Sequence, residues 1–202
     1  MRTKFIAMVV LSILVSAPSV FSSPTYYTDF ASFDAVTQTT LVEDFESVFP
    51  KDTPLSSFVS NGITYTGLAG TPFPNVWVAS PGYTNFGLPV TLSSVLTSNG
   101  PEDFTFDLNL GTPSTAIGFD TYLNASGPAT IEIHDSGGLL GTFSLNHDPT
   151  QVGFFGVTAS ELICKIRWTT TGGERVNTGI DNVRIGAVIP APGAILLLRL
   201  HP

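Results

Sequence analysis

The sequence predicts an all-β fold: an antiparallel β-sandwich of jelly-roll type with one short N-terminal helix. Three observations carry this expectation. Apolar and polar residues alternate with period two through most of the chain after Leu41, the mark of half-buried strands. Turn residues separate the runs at intervals of about 8–12 residues, the spacing of sandwich strands. The gaps between runs are too short for crossover helices, which excludes a parallel α/β arrangement.

Residues 1–22 read as a secretory signal peptide. Arg2 and Lys4 precede an apolar run from Phe5 to Val15 broken only by Ser12, and small residues follow at Ser16, Ala17, Ser22 and Ser23. That run is too short to span a bilayer, which takes about 20 apolar residues. Its removal takes away two of the eight basic residues and none of the sixteen acidic ones, moving the formal net charge from −8 to −10.

The domain is expected over residues 23–187. Thr28 or Asp29 is placed to cap a helix carrying Phe30 and Phe33 at i, i+3 spacing. Further on, Phe104, Phe106, Leu108 and Leu110 alternate with Thr105, Asp107 and Asn109, and Ile117, Phe119, Thr121 and Leu123 with Gly118, Asp120, Tyr122 and Asn124. Ile131 and Ile133 alternate with Thr130, Glu132 and His134; Phe143 and Leu145 with Thr142, Ser144 and Asn146; Cys164, Ile166 and Trp168 with Lys165, Arg167 and Thr169. Residues 180–185 read as the closing strand. Asn61-Gly62, Asn99-Gly100-Pro101, Ser126-Gly127-Pro128, Gly137-Gly138 and Gly172-Gly173 supply turns.

Composition narrows the function. An acidic chain in which only 12% of residues are charged lacks the clustered Lys/Arg that nucleic acid requires. Fifteen Phe, five Tyr and two Trp exclude a disordered chain. A single cysteine excludes a disulfide framework and a multi-cysteine zinc site. Cys164 falls on the inward phase with Trp168, so a buried, inert thiol is expected.

The C-terminal stretch Ile189-Pro190-Ala191-Pro192-Gly193-Ala194-Ile195-Leu196-Leu197, in a chain that opens with a signal peptide, resembles the PEP-CTERM class of exported bacterial proteins. In that class a short Pro-Glu-Pro-like motif, with Pro-Ala-Pro among its variants, precedes a transmembrane helix and an arginine cluster. The runs Gly179 to Gly186 and Tyr27 to Phe33 are similar to the last strand and the short aromatic helix of sandwich domains in such proteins. The resemblance implies that exosortase recognises the tail at Pro190, Ala191 and Pro192. It also implies delivery to the cell surface or exopolysaccharide matrix of a Gram-negative-type bacterium. The tail, residues 188–202, is a truncated or atypical version: only Ala194 to Leu198 are consistently apolar and a lone Arg199 stands for the basic cluster. Five residues supply no stable membrane anchor.

Catalysis finds little support. No G-x-S-x-G elbow occurs, the chain has only His134, His147 and His201, and the nearest metal-like set, Glu132 and His134 joined by His147 from the next strand, is expected to be a solvated strand face. Around Glu43-Asp44-Phe45-Glu46, alternation turns Asp44 and Glu46 to one face and Glu43 and Phe45 to the other, so three carboxylates do not share a face. The chain is therefore expected to be a non-enzymatic β-sandwich of the cell surface or extracellular polysaccharide matrix. Pairing of the first and last strands would bring Glu43 and Asp44 near Asp181 and Asn182, an oxygen-rich set suited to Ca²⁺. The alternative is a carbohydrate-binding module, calcium-stabilised or not. Its polar groups would come from Asp120, Tyr122, Asn124, Glu132 and His134, and its stacking rings from Trp77 and Tyr83. A secreted glycan-active hydrolase stands third.

Overall fold

The computed structural model describes residues 23–69, 75–82, 91–98, 105–123, 127–170 and 178–190. The signal segment, the tail from Ala191 onward, Tyr83, Asn124 and the turns at 99–101 and 172–173 lie outside the described residues. The elements run β1 (Thr25–Tyr27), α1 (Phe30–Asp34), β2 (Thr37–Glu43), β3 (Ser57–Ser60), β4 (Ile63–Gly67), β5 (Val76–Ala79), β6 (Val95–Ser98), β7 (Thr105–Tyr122), β8 (Ala129–Asp135), β9 (Gly138–Leu145), β10 (Gly153–Thr170) and β11 (Gly179–Val188).

Every strand pair is antiparallel, and two long strands organise the whole. The first part of β7 pairs with β4 and with the last part of β10, which in turn pairs with β8. This makes one layer, ordered β3-β4-β7-β10-β8-β9. The second part of β7 pairs with β11 and with the first part of β10, which carries β1. On its far side β11 is shared between β6, itself paired with β5, and β2. Hydrogen bonding thus runs unbroken through both layers of the sandwich, because β7 and β10 each cross from one to the other. Strands change layers at bulges and bends, and here the register shifts between Thr158 and Ile163 and again between Ile163 and Lys165.

The core lies between the layers. Leu108, Ile131, Ile133, Ile166 and Trp168 come from the first layer and Ile117, Phe119, Phe155, Val157 and Ile180 from the second, all fully buried. Phe119 bridges them, with ring centroids 5.2 Å from Phe155 and 6.1 Å from Trp168. The Trp168 indole N–H donates to Thr178 Oγ1 at 3.2 Å, so the largest core side chain keeps its polar handle satisfied.

The outer face of the second layer is covered. Gly118 and Gly156 are register partners, and the ring of Phe33 on α1 lies on the floor they leave bare. A Cβ on Gly156 would meet that ring at 2.6 Å. Asp29 caps α1, its Oδ2 accepting from Ser32 N at 2.8 Å and Ser32 Oγ at 2.7 Å.

Two expectations need correction. The alternating runs expected at 104–110 and 117–123 are joined in one strand, β7, over Thr105–Tyr122, with Phe104 outside the described residues. Cys164 is half-buried, not a core thiol. The bulge inserts it as an extra residue between Ile163 and Ile166, so Ile163 takes the inward place and the Cys164 thiol reaches the backbone oxygen of His134 at 3.6 Å.

Candidate functional site: a polar sheet face

The outer face of the first layer carries no covering element among the described residues, and the strand registers assemble its side chains into rows. The central row crosses all six strands: Ser57, Thr66, Asp107, Arg167, Glu132 and Thr142 are successive partners. Beside it lies Val59, Thr64, Asn109, Lys165, His134 and Leu139. On the other side Thr169, Thr130 and Ser144 continue the pattern. Six strands at a spacing of about 4.8 Å make the central row about 24 Å long.

The charges on this face form one chain. Lys165 Nζ lies 3.6 Å from Asp107 Oδ2, and Arg167 Nε lies 3.7 Å from Asp107 Oδ1. On its other flank Arg167 Nη1 lies 3.7 Å from Glu132 Oε2, which also meets His134 Nε2 at 3.1 Å. The side chains are one-fifth to one-third exposed. Asp107 Oδ1 and Arg167 Nε are sealed beneath the face, while the rest of these side chains is partly exposed and held by its neighbours, so part of the entropy cost of ordering them is met before anything binds.

A second polar cluster sits on the opposite side of the molecule. Asp120 and Asp181 are register partners on β7 and β11. Arg184 Nη1 donates to Asp120 Oδ1 at 3.0 Å while its guanidinium lies 4.5 Å over the ring of Phe30. Asn182, at φ +50°, donates from Nδ2 to Asp120 Oδ2 at 2.8 Å. Asp181 is fully buried and accepts from Ser93 Oγ and from Asn182 N, both at 2.6 Å. Burial pushes its carboxyl up to about 6, with Asp120 and Glu46 adding to the rise against the Ser93 and Asn182 hydrogen bonds. Burial likewise pushes the Tyr122 phenol up to about 12, with Asp181 and Asp120 adding to it.

The sequence-predicted ligand set is therefore split. Glu132 and His134 share the open face, whereas Asp120 and Tyr122 belong to the other layer and Trp77 lies half-buried on β5. Tyr122 corrects the outward reading: its phase is outward, but Ala79 and Val95 of the β5–β6 hairpin pack over it and leave it 6% exposed. Tyr83 and Asn124 lie outside the described residues.

The first strand, β1, pairs with β10, and it is the second, β2, that pairs with the last, β11. The four residues named for calcium nevertheless take different sides. Glu43, opposite Val183, points inward, where Oε1 accepts from Phe45 N at 2.7 Å and Oε2 from Asn61 Nδ2 at 2.9 Å. Asp44 is exposed and caps Glu46 N at 3.1 Å, and Asp181 faces outward beside Asp120. Among the described residues no group of three His, Cys, Asp or Glu is arranged to hold a metal ion.

Asp107, Lys165 and Arg167 are the charged members of the open face that strand alternation alone does not mark as a site. Their signal was present: opposite charges on the outward phase of neighbouring runs.

No family profile matches the chain, and no curated protein matches it. Among solved structures it is similar to the C-terminal family 22 carbohydrate-binding module of Clostridium thermocellum Xyn10B, at 15% identity and a TM-score of 0.40, over 74% of this chain and 94% of that one. It is similar to the family 11 carbohydrate-binding module of a cellulosomal cellulase from the same organism, at 13% identity and a TM-score of 0.38, over 77% and 95%. A third likeness is to the enzymatically active domain of tailspike protein 4 of bacteriophage CBA120. There identity is 17% and the TM-score 0.39, over 66% of this chain and only 22% of that one.

Proposed function

We propose that the chain is an exported, non-catalytic β-sandwich that binds polysaccharide on the outer face of its first layer. The observation that supports this most is the central row, Ser57 to Thr142: a continuous polar strip across six strands, with no covering element among the described residues and its charged members set in ion pairs. Sugar hydroxyls pair as donors and acceptors with planar carboxylate and guanidinium groups and with Thr, Ser and Asn side chains. A rigid, flat array of such groups suits an extended chain of sugars better than a single small molecule.

The non-catalytic part of the reading follows from the carboxylates. Asp107 and Glu132, the carboxylates of the face, are both engaged in ion pairs with Lys165 and Arg167. The carboxyl that is pushed upward, Asp181, is sealed from solvent. Export is proposed from the layout of residues 1–22, and surface or matrix delivery through exosortase from Pro190-Ala191-Pro192. Mass spectrometry of the secreted chain tests the first, with a start near Ser23 expected.

Binding is tested by titration calorimetry of the chain against a panel of soluble polysaccharides. Association with at least one, weakened about tenfold or more by Arg167→Ala, is the expected result, a loss of about 1.4 kcal/mol. An empty panel, or binding indifferent to Arg167→Ala, Glu132→Ala and Asp107→Ala alike, overturns the reading.

A further inference from the structure

Resting on the polysaccharide reading, we infer that the open face selects neutral glycans and turns polyanionic ones away, because its own charges cancel within contact distance. Two cations, Lys165 and Arg167, alternate with two anions, Asp107 and Glu132, and each charge lies within 4 Å of an opposite one. Arg167 is flanked on both sides, at 3.7 Å from Asp107 and 3.7 Å from Glu132. Among the described residues, a uronate carboxylate arriving on this face finds no uncompensated cation. To gain Arg167 or Lys165 it must displace a carboxylate that stays behind a few ångströms away and repels it.

Farther out the paired charges look like short dipoles, and the field a polyanion meets is that of the whole chain, with its formal charge of −8. Approach is disfavoured before contact is made. A neutral glycan pays neither penalty. Its hydroxyls take up what the pairs leave over: a guanidinium has five N–H donors and a carboxylate about four acceptor positions, and although Arg167 Nε and Asp107 Oδ1 are themselves sealed, the two ion pairs each makes use only part of that capacity. The Thr, Ser and Asn side chains of the three rows extend the same neutral chemistry.

Affinity gel electrophoresis of the full chain tests this, with mixed-linkage β-glucan and glucomannan as neutral probes and alginate and polygalacturonate as polyanions. Retardation by a neutral probe is expected, unchanged within about twofold when NaCl is raised to about 0.5 M, where exposed charges are screened over a few ångströms. No retardation by alginate is expected. The double variant Asp107→Asn/Glu132→Gln, which leaves both cations uncompensated, is expected to gain alginate retardation that salt abolishes. Salt-sensitive retardation of the unaltered chain by alginate alone overturns the inference and leaves the polysaccharide reading standing. A folded double variant that ignores alginate overturns the charge-cancelling argument. No retardation by any probe overturns both.

Discussion

Asp120 and Asp181 stand directly opposite each other on β7 and β11, two carboxylates on one face of one layer. Like charges so placed repel, and the surroundings divide them. The cation Arg184 goes to Asp120 at 3.0 Å, while fully buried Asp181 is held by the neutral donors Ser93 and Asn182 N.

That division sets a pH dependence. The Asp181 carboxyl titrates near 6 in the folded chain, against about 3.9 when unfolded. Its raised value means the folded state favours the protonated form, so its contribution is fully present below about pH 4 and is lost as pH rises through 6. Glu46 and Asp52 act oppositely: hydrogen bonds from Ser94 N and from Ser80 hold them below the usual carboxylate range, so their contributions are lost in acid. Thermal melts should show higher stability at pH 5 than at pH 7.5, with a decline below pH 4. Asp181→Asn keeps the shape without the charge, and is expected to stabilise the chain at pH 7.5 by about 1–3 kcal/mol while flattening the melt between pH 5 and 7.5. A variant less stable at pH 7.5 with that slope intact contradicts the assignment.

Gly156 lets α1 dock. Gly156→Ala brings a Cβ against the Phe33 ring at 2.6 Å, and Phe33→Ala empties a site that is 1% exposed. Denaturant unfolding should register a loss of about 1–3 kcal/mol for the first and about 3–5 kcal/mol for the second. The pair should lose less than the sum, since the smaller side chain relieves the clash.

Glu43 is a buried carboxylate whose two oxygens are each met by a donor, Phe45 N and Asn61 Nδ2. Asn61 occupies a left-handed turn position, φ +48°, that glycine also accepts. Asn61→Gly therefore removes the side-chain donor without straining the turn, and a loss of about 1–3 kcal/mol is expected from leaving Glu43 Oε2 unmet. An unchanged unfolding midpoint contradicts this.

Period-two alternation made the core and the strand class legible, and Asp29 with Phe30 and Phe33 made the helix legible. Alternation separates inward from outward, but a sandwich has two outward faces, and nothing local says which layer a strand joins. Asp120 and Glu132 thus share an outward phase in the sequence and lie on opposite sides of the molecule. Tyr122 escaped for a related reason: its cover comes from Ala79 and Val95, far away along the chain. Cys164 escaped because one inserted residue at the crossover reverses the phase, and only the partner strand's register reveals it.

The location of binding is read by amide chemical-shift mapping of the isotope-labelled chain with oligosaccharides of whichever neutral glycan the calorimetric panel identifies. Shifts are expected to concentrate at Thr64, Thr66, Asp107, Glu132, Thr142 and Arg167, running across the strands of the first layer. Shifts gathered around Phe30, Asp120 and Arg184 on the other side, or none at saturating oligosaccharide, rule out binding on this face.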